Sequence, residues 1–324
     1  GTLSRLRRNP RRSLAILGSL LLCAGAFAYA GGWLTPHRLS SARFVDALES
    51  NAGGPHRGFR RAHAKGVCVA GWFRATREAQ RFSKAAVFSG VVVPVSGRLA
   101  EASPDPYLAD SRQKVRSMAL RFTPAHGAEW RTGMNDTPGM AVSTPAAFFQ
   151  LGKLSRPDPR TGKPDSVGMK AFLADHPETV AYNARAAATP MPASFANDTY
   201  NGINGFYFVS RAGDRRLVRW RMQPLLPFST LGPEAHDRLP PTYLFDDLMT
   251  RLAAGPLKWR LIATFAQPGD ANRAAEVWPP ARPTPKRQSH PHRPSVARKI
   301  SLRTPARSFA REALSGMKTS GSAG

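Results

Sequence analysis

Cysteine, acid and internal repetition are all scarce in this chain, and each shortage narrows what it can be. Its 324 residues contain two cysteines, Cys23 and Cys68, with no C-x-x-C pair. Cys23 lies in an apolar run, so both read as small hydrophobes and a disulfide between them is disfavoured. Asp and Glu number 21 against 47 Lys and Arg, a net charge of +26. Much of that excess sits at the ends: five arginines within residues 1–12, and ten Lys/Arg against the lone Glu312 within 282–324. Basic ends with little aromatic interleaving argue against nucleic acid as the partner. No repeat is visible, so one or two domains are allowed, and 42% hydrophobic residues suffice for a sizeable core.

Long hydrophobic runs are lacking too, with one exception. No charge occurs from Ser13 to Thr35, and Leu14–Leu34 would span roughly 31 Å as a helix, enough to cross a bilayer. The arginines on its amino side place that end in the cytoplasm and the remainder outside. A cleaved export signal is the alternative, because Ala26-Phe-Ala28 and Ala28-Tyr-Ala30 resemble A-x-A cleavage sites. A retained anchor is preferred. The organisation read from the sequence is a basic cytoplasmic flank (1–12), an anchor or export signal (13–35), a folded domain (41–270) and a basic, proline-rich tail (271–324). Six prolines within 278–295 forbid a ladder or a helix interior there, so the tail is expected to be largely unstructured.

Within the domain, periodicity predicts helices at 42–50, 74–86, from Pro145, over 169–185 and at 243–254. It predicts strands at 62–73, 87–99, 115–122, 202–210, 215–223 and 257–266. Ala212-Gly-Asp214 makes a hairpin turn, and Leu257, Trp259, Leu261, Ala263 and Phe265 share one strand face. Strands in hairpin order with helices inserted between them predict an α+β protein built on an antiparallel sheet or barrel.

Four stretches carry chemistry. "RRAHAKG" (60–66) puts a histidine among basic residues at the mouth of an expected strand. It is followed by "SGRLAEA" (96–102), "VRSMALRF…GAEWRTGMNDTP" (115–138) and "TPAAFFQL" (144–151). In order and spacing these resemble the haem catalases, and more closely the small catalase-related peroxidases, over roughly Ala42–Asp270. The resemblance implies an antiparallel β-barrel core holding haem and an enzyme that breaks down hydrogen peroxide or organic peroxides with an electron donor. It implies His63 as the distal acid–base group, Asn135 as the residue orienting peroxide, Arg60 and Arg98 as partners of the haem propionates, and Phe148 packed on the haem. His63 is expected within reach of Asn135 across a cavity between strands.

Two departures accompany the resemblance. Ala100 stands where the family has a serine that bonds the histidine, so His63 is expected to be less firmly oriented. The family's axial tyrosine lies in an Arg-x-x-x-Tyr helix. None of Tyr29, Tyr107, Tyr182, Tyr200, Tyr207 and Tyr243 has arginine four residues before it, and none follows Tyr243. The metal ligand is therefore unassigned. A catalase-like remnant, impaired in catalysis or binding another ligand, is the alternative function. His290-Pro-His292 lacks the companions of a metal site, and Asn197-Asp-Thr199 is too short a match to count as a glycosylation site.

Overall fold

The computed structural model describes residues 10–34, 39–232, 234, 238–279, 295–296 and 298–303. The chain divides into two compact units, residues 1–47 and 48–324. In the first, α1 spans Pro10–Ala30, and none of its residues is buried. The expected apolar span began four residues later. The helix takes in Pro10 and the arginine pair, and it stops where Gly31 and Gly32 follow, Gly32 at φ 80°. It is long and apolar enough to cross a membrane, with mean hydropathy 1.9. A short helix, α2, follows at Ser41–Asn51.

Among the described residues ten strands form one antiparallel sheet: β1 (Gly66–Arg74), β2 (Val92–Glu101), β3 (Arg116–Phe122), β4 (Trp130–Asn135), β5 (Tyr200–Asn201), β6 (Phe206–Val209), β7 (Arg215–Pro224), β8 (Leu257–Phe265), β9 (Ser295–Val296) and β10 (Arg298–Arg303). β1 to β4 pair in sequence, β4 pairs β5, β5 pairs β7, and β7 pairs β8. β10 then fits between β8 and β1, so the sheet closes on itself. The α+β barrel expected from the sequence is present.

Alternation decides which side chains fill it. Val69, Leu99, Met118, Leu120, Phe122 and Met134 point into the core, where Trp259 and Met222 meet them. Gly97 permits close packing there, since a Cβ at this position would lie 2.6 Å from Leu120 Cδ2. Helix α7 (Tyr243–Ala254) adds Leu244, Leu248 and Leu252, one stripe at a spacing of four.

Between strands lie α3 (Ala79–Phe82), α4 (Pro145–Ser155), α5 (Ser166–Asp175) and α6 (Pro177–Ala188). Thr144 caps α4 by accepting from the Ala147 amide at 3.1 Å, with Pro145 in the first position. The expected helix at 169–185 is two helices, because Pro177 denies His176 a helical backbone. The helix expected at 74–86 shrinks to α3 and a 3-10 turn at Ala86–Phe88.

The tail begins later than the sequence suggests. Arg219 donates to the carbonyls of Ala271 (3.3 Å), Arg273 (2.8 Å) and Glu276 (2.5 Å), and lies over the Trp278 ring. Ala275 and Trp278 are buried, so residues 271–278 pack on the barrel. β10 is a second correction, since 298–303 falls within the segment expected to be unstructured. His290, His292 and Arg307 lie outside the described residues.

Candidate functional site

The site is assembled on the outer face of β1–β4. Gly66, Ala100, Ser117, Asn135 and Asn201 lie side by side in one row across β1 to β5. Their chain neighbours Val67, Leu99, Met118 and Met134 enter the core, so the row itself must face outwards. The adjacent outer row is Cys68, Arg98, Ala119 and Gly133. Cys68, Ala119 and Gly133 are exposed, and a Cβ on Gly133 would meet nothing within 4 Å. The result is a shallow floor of small side chains interrupted by Arg98, whose guanidinium lies against Gly66.

His63 stands just before β1 and not within it. Its backbone is left-handed at φ 51°, alone among the described non-glycine residues. Local bonds hold that turn: Arg98 donates Nη1 to the His63 carbonyl (2.7 Å) and Nη2 to the Ala64 carbonyl (3.0 Å). The Ala64 amide donates to Ser103 O at 3.0 Å. The turn brings the imidazole onto the row, where Nδ1 lies 2.9 Å from Ser117 Oγ.

Ala100 was expected to leave His63 loosely held, and this is corrected. Its direct cross-strand neighbour, Ser117, supplies the hydroxyl from the next strand. Asn135 lies opposite Ser117 on the other side. His63 and Asn135 therefore share one surface through Ser117, and not a cavity between strands as expected. The Asn135 amide has no hydrogen-bond partner among the described residues, while Asn201 Nδ2 braces the Asp136 carbonyl at 3.0 Å.

Burial, then the charges of Arg98 and Arg60, push the His63 pKa below its ordinary 6.5. Arg98 is likewise lowered by burial and by Arg60, so the guanidiniums are close enough to repel. Arg60 is exposed and lines a cavity of about 150 Å³ with His56, Arg57, Phe59, Arg61 and Pro104. Arg61 is paired with Glu49 at 2.7 Å. Phe148, on α4, is 37% exposed and lies outside the rows that carry His63 and Asn135.

One residue along each strand, facing inwards, is a second and buried layer. Lys65 pairs with Asp110 and donates to the carbonyls of Leu108 and Pro241 at 3.0 Å each. Arg116 donates to Pro192 O at 2.7 Å and to Tyr243 Oη at 3.3 Å, and its amide reaches Asp136 Oδ2 at 3.1 Å. Glu101, fully buried, lies 3.9 Å from Lys65. These charges escaped the sequence reading because only the strand register shows them lining up behind the outer row.

The outer face fits one side of a planar macrocycle carrying two carboxylates. The floor is open, Arg60 and Arg98 repel each other with no acid in the described contacts, and His63, Ser117 and Asn135 border it. For the other side no donor is identified among the described residues. Tyr200 is buried and donates to Phe195 O, Tyr243 is bonded by Arg116, and Tyr207 lies under Arg215. Among the described residues no three His, Cys, Asp or Glu side chains cluster as metal ligands.

His63 and Asn135 thus lie on the outer wall of a closed antiparallel barrel, with Arg60 and Arg98 beside His63. Comparison with known proteins gives the class. Residues 58–278 match the family model described as Catalase. The chain is 34% identical over 282 residues to a catalase-related peroxidase of Synechococcus elongatus, covering 86% of this chain and 81% of that one. A catalase-related peroxidase of Mycolicibacterium paratuberculosis is 31% identical, with 74% of each chain covered. Among solved structures, a fungal catalase superposes with TM-score 0.64 at 20% identity and a bacterial catalase with 0.65 at 18%. They share 78% and 85% of this chain, but it spans only 51% and 54% of theirs. The chain belongs to the catalase family, as a catalase-related peroxidase.

Proposed function

We propose that this chain is a haem-dependent peroxidase in which His63 moves the proton and Asn135 orients the peroxide. The observation that carries this reading is the shared outer row, with His63 anchored on Ser117 and Asn135 directly beyond it. Nδ1 is occupied by Ser117, so Nε2 is the nitrogen free to take a proton from one peroxide oxygen and return it to the other. An imidazole kept neutral near pH 7 suits that task. The Asn135 amide offers a donor to the peroxide. Arg60 and Arg98 would hold the haem carboxylates, and Phe148 would pack against the ring. Haem, when bound, supplies the redox chemistry. The substrates are peroxide and a separate electron donor. The domain is proposed to work outside the cytoplasm, tethered by α1.

The test combines haem titration, followed by absorbance, with peroxide turnover of the full chain and its His63→Gln variant. The variant should lose about 10²- to 10⁴-fold in rate while its fold persists. An equal rate in both proteins removes His63 from the chemistry. The engagement of Tyr200, Tyr207 and Tyr243 elsewhere in the fold favours a second reading, a barrel impaired in haem ligation. A folded full chain that leaves the haem spectrum unchanged would establish it.

A further inference from the structure

We propose that Ser117 is a positioning residue that fixes the tautomer of His63, holding the proton on Nδ1 and leaving Nε2 bare. The argument is a count of protons. The Ser117 hydroxyl has one hydrogen and two neighbours, Ala100 O at 3.2 Å and His63 Nδ1 at 2.9 Å. A carbonyl oxygen only accepts, whereas a neutral imidazole nitrogen is either donor or acceptor. When the hydroxyl donates to Ala100 O, Nδ1–H donates to Oγ, and a continuous chain runs from imidazole through hydroxyl to carbonyl. The hydroxyl then both donates and accepts, and each bond polarises the next. In the reverse arrangement the hydroxyl points at Nδ1 and its lone pairs find no donor among the described residues, at a residue only 8% exposed. Burial, and then the charges of Arg98 and Arg60, oppose a doubly protonated ring, so the choice is between the two neutral forms.

The strand pattern gives Ser117 this office. It lies opposite Ala100 on one side and Asn135 on the other. With only a methyl at Ala100, the His63 ring can reach past β2 to the hydroxyl on β3. A serine on the third strand thus serves a histidine placed before the first.

The inference rests on the reading of His63 as the proton-moving group, and its test is separate from that reading. In the full chain labelled with ¹⁵N-histidine, without haem, nitrogen–proton correlations distinguish Nδ1–H from Nε2–H, and His63→Gln identifies the signal. The wild type should show Nδ1–H alone. Ser117→Ala should show a mixture or Nε2–H, and Ser117→Thr, which keeps the hydroxyl, should return to Nδ1–H. Peroxide turnover should fall roughly tenfold to hundredfold in Ser117→Ala, in kcat more than in KM. A wild-type ring protonated on Nε2, or a Ser117→Ala ring unchanged from the wild type, would overturn the proposal whatever the catalytic outcome. A turnover rate indifferent to His63→Gln would instead remove the functional reading and leave the tautomer result standing.

Discussion

His63 occupies a backbone conformation that costs a non-glycine residue on the order of 1 kcal/mol or more. Arg98 offsets this by bonding the His63 and Ala64 carbonyls, so the residue read as a carboxylate partner also holds the turn. The two arginines have a second effect, on protonation. A lowered histidine pKa means that the unfolded chain takes up the proton first as pH falls. The stability this site contributes is complete above pH 6.5 and is lost as pH falls towards the lower folded value. Activity should fail on the same acid side, once Nε2 is protonated. Arg60 is exposed and its charge reaches the ring, so Arg60→Ala should raise the His63 pKa and move the acid limb of the rate profile to higher pH. Added salt should shrink the difference between the two proteins. Profiles of kcat/KM at low and high salt check this, and superimposable acid limbs at low salt would contradict it. His63, Arg60 and Arg98 were legible as a motif. The left-handed turn was not, because nothing in "RRAHAKG" separates a strand from a turn held by a distant arginine. Ser117 was missed because its role depends on a cross-strand pairing.

Strands β2 and β3 each present the site on one side and a buried charge, Glu101 or Arg116, on the other, and Lys65 adds a third just before β1. Glu101 is the extreme case, pushed up to about 9 by burial first and by Asp110 next. The unfolded chain releases this proton near pH 4.5, while the folded one retains it until about 9. Stability should therefore decline as pH rises across that window. Glu101→Gln keeps the shape without the ionisation. Urea midpoints at pH 5, 7 and 9 should converge at pH 5 and favour the variant increasingly towards pH 9, whereas parallel profiles would count against a protonated Glu101. At this scale legibility followed the pattern of the residues. α7 and β8 were read nearly to the residue because their apolar stripes run unbroken. β4 was missed because Arg131, Gly133 and Asn135 on its outer side hide the alternation of Trp130, Thr132 and Met134. The register that lines charge against charge cannot be read from any single strand.

For the whole molecule, the barrel was legible from its hairpin order. Its closure by β10 and the Arg219 anchor of 271–278 were not, since polar, proline-rich text carries no periodicity. α1 has a length of roughly 31 Å at 1.5 Å per residue. With a tag at the carboxy end, the chain should be recovered with membranes and the tag should be open to protease added from outside. Recovery in the soluble cytoplasmic fraction would contradict this placement, and a soluble product outside the cytoplasm starting near Gly31 would show cleavage instead.

The two-sided strands also bear on how the chain finds its fold. Slide β3 by one residue against β2 and β4, and every side chain changes sides. Ser117 would enter the barrel, Arg116 would lose Pro192 O and Tyr243 Oη, and Ala119 and Arg121 would displace Met118 and Leu120 from the core. Arg121, which pairs with Glu129 on the outside, would then be a guanidinium inside the barrel, at a cost of several kcal/mol, far more than a slipped apolar pair. The outer charge of β3 thus penalises mispairing in the strands that carry the site, and the alignment of Ser117 with Asn135 is guarded by a residue outside the proposed chemistry.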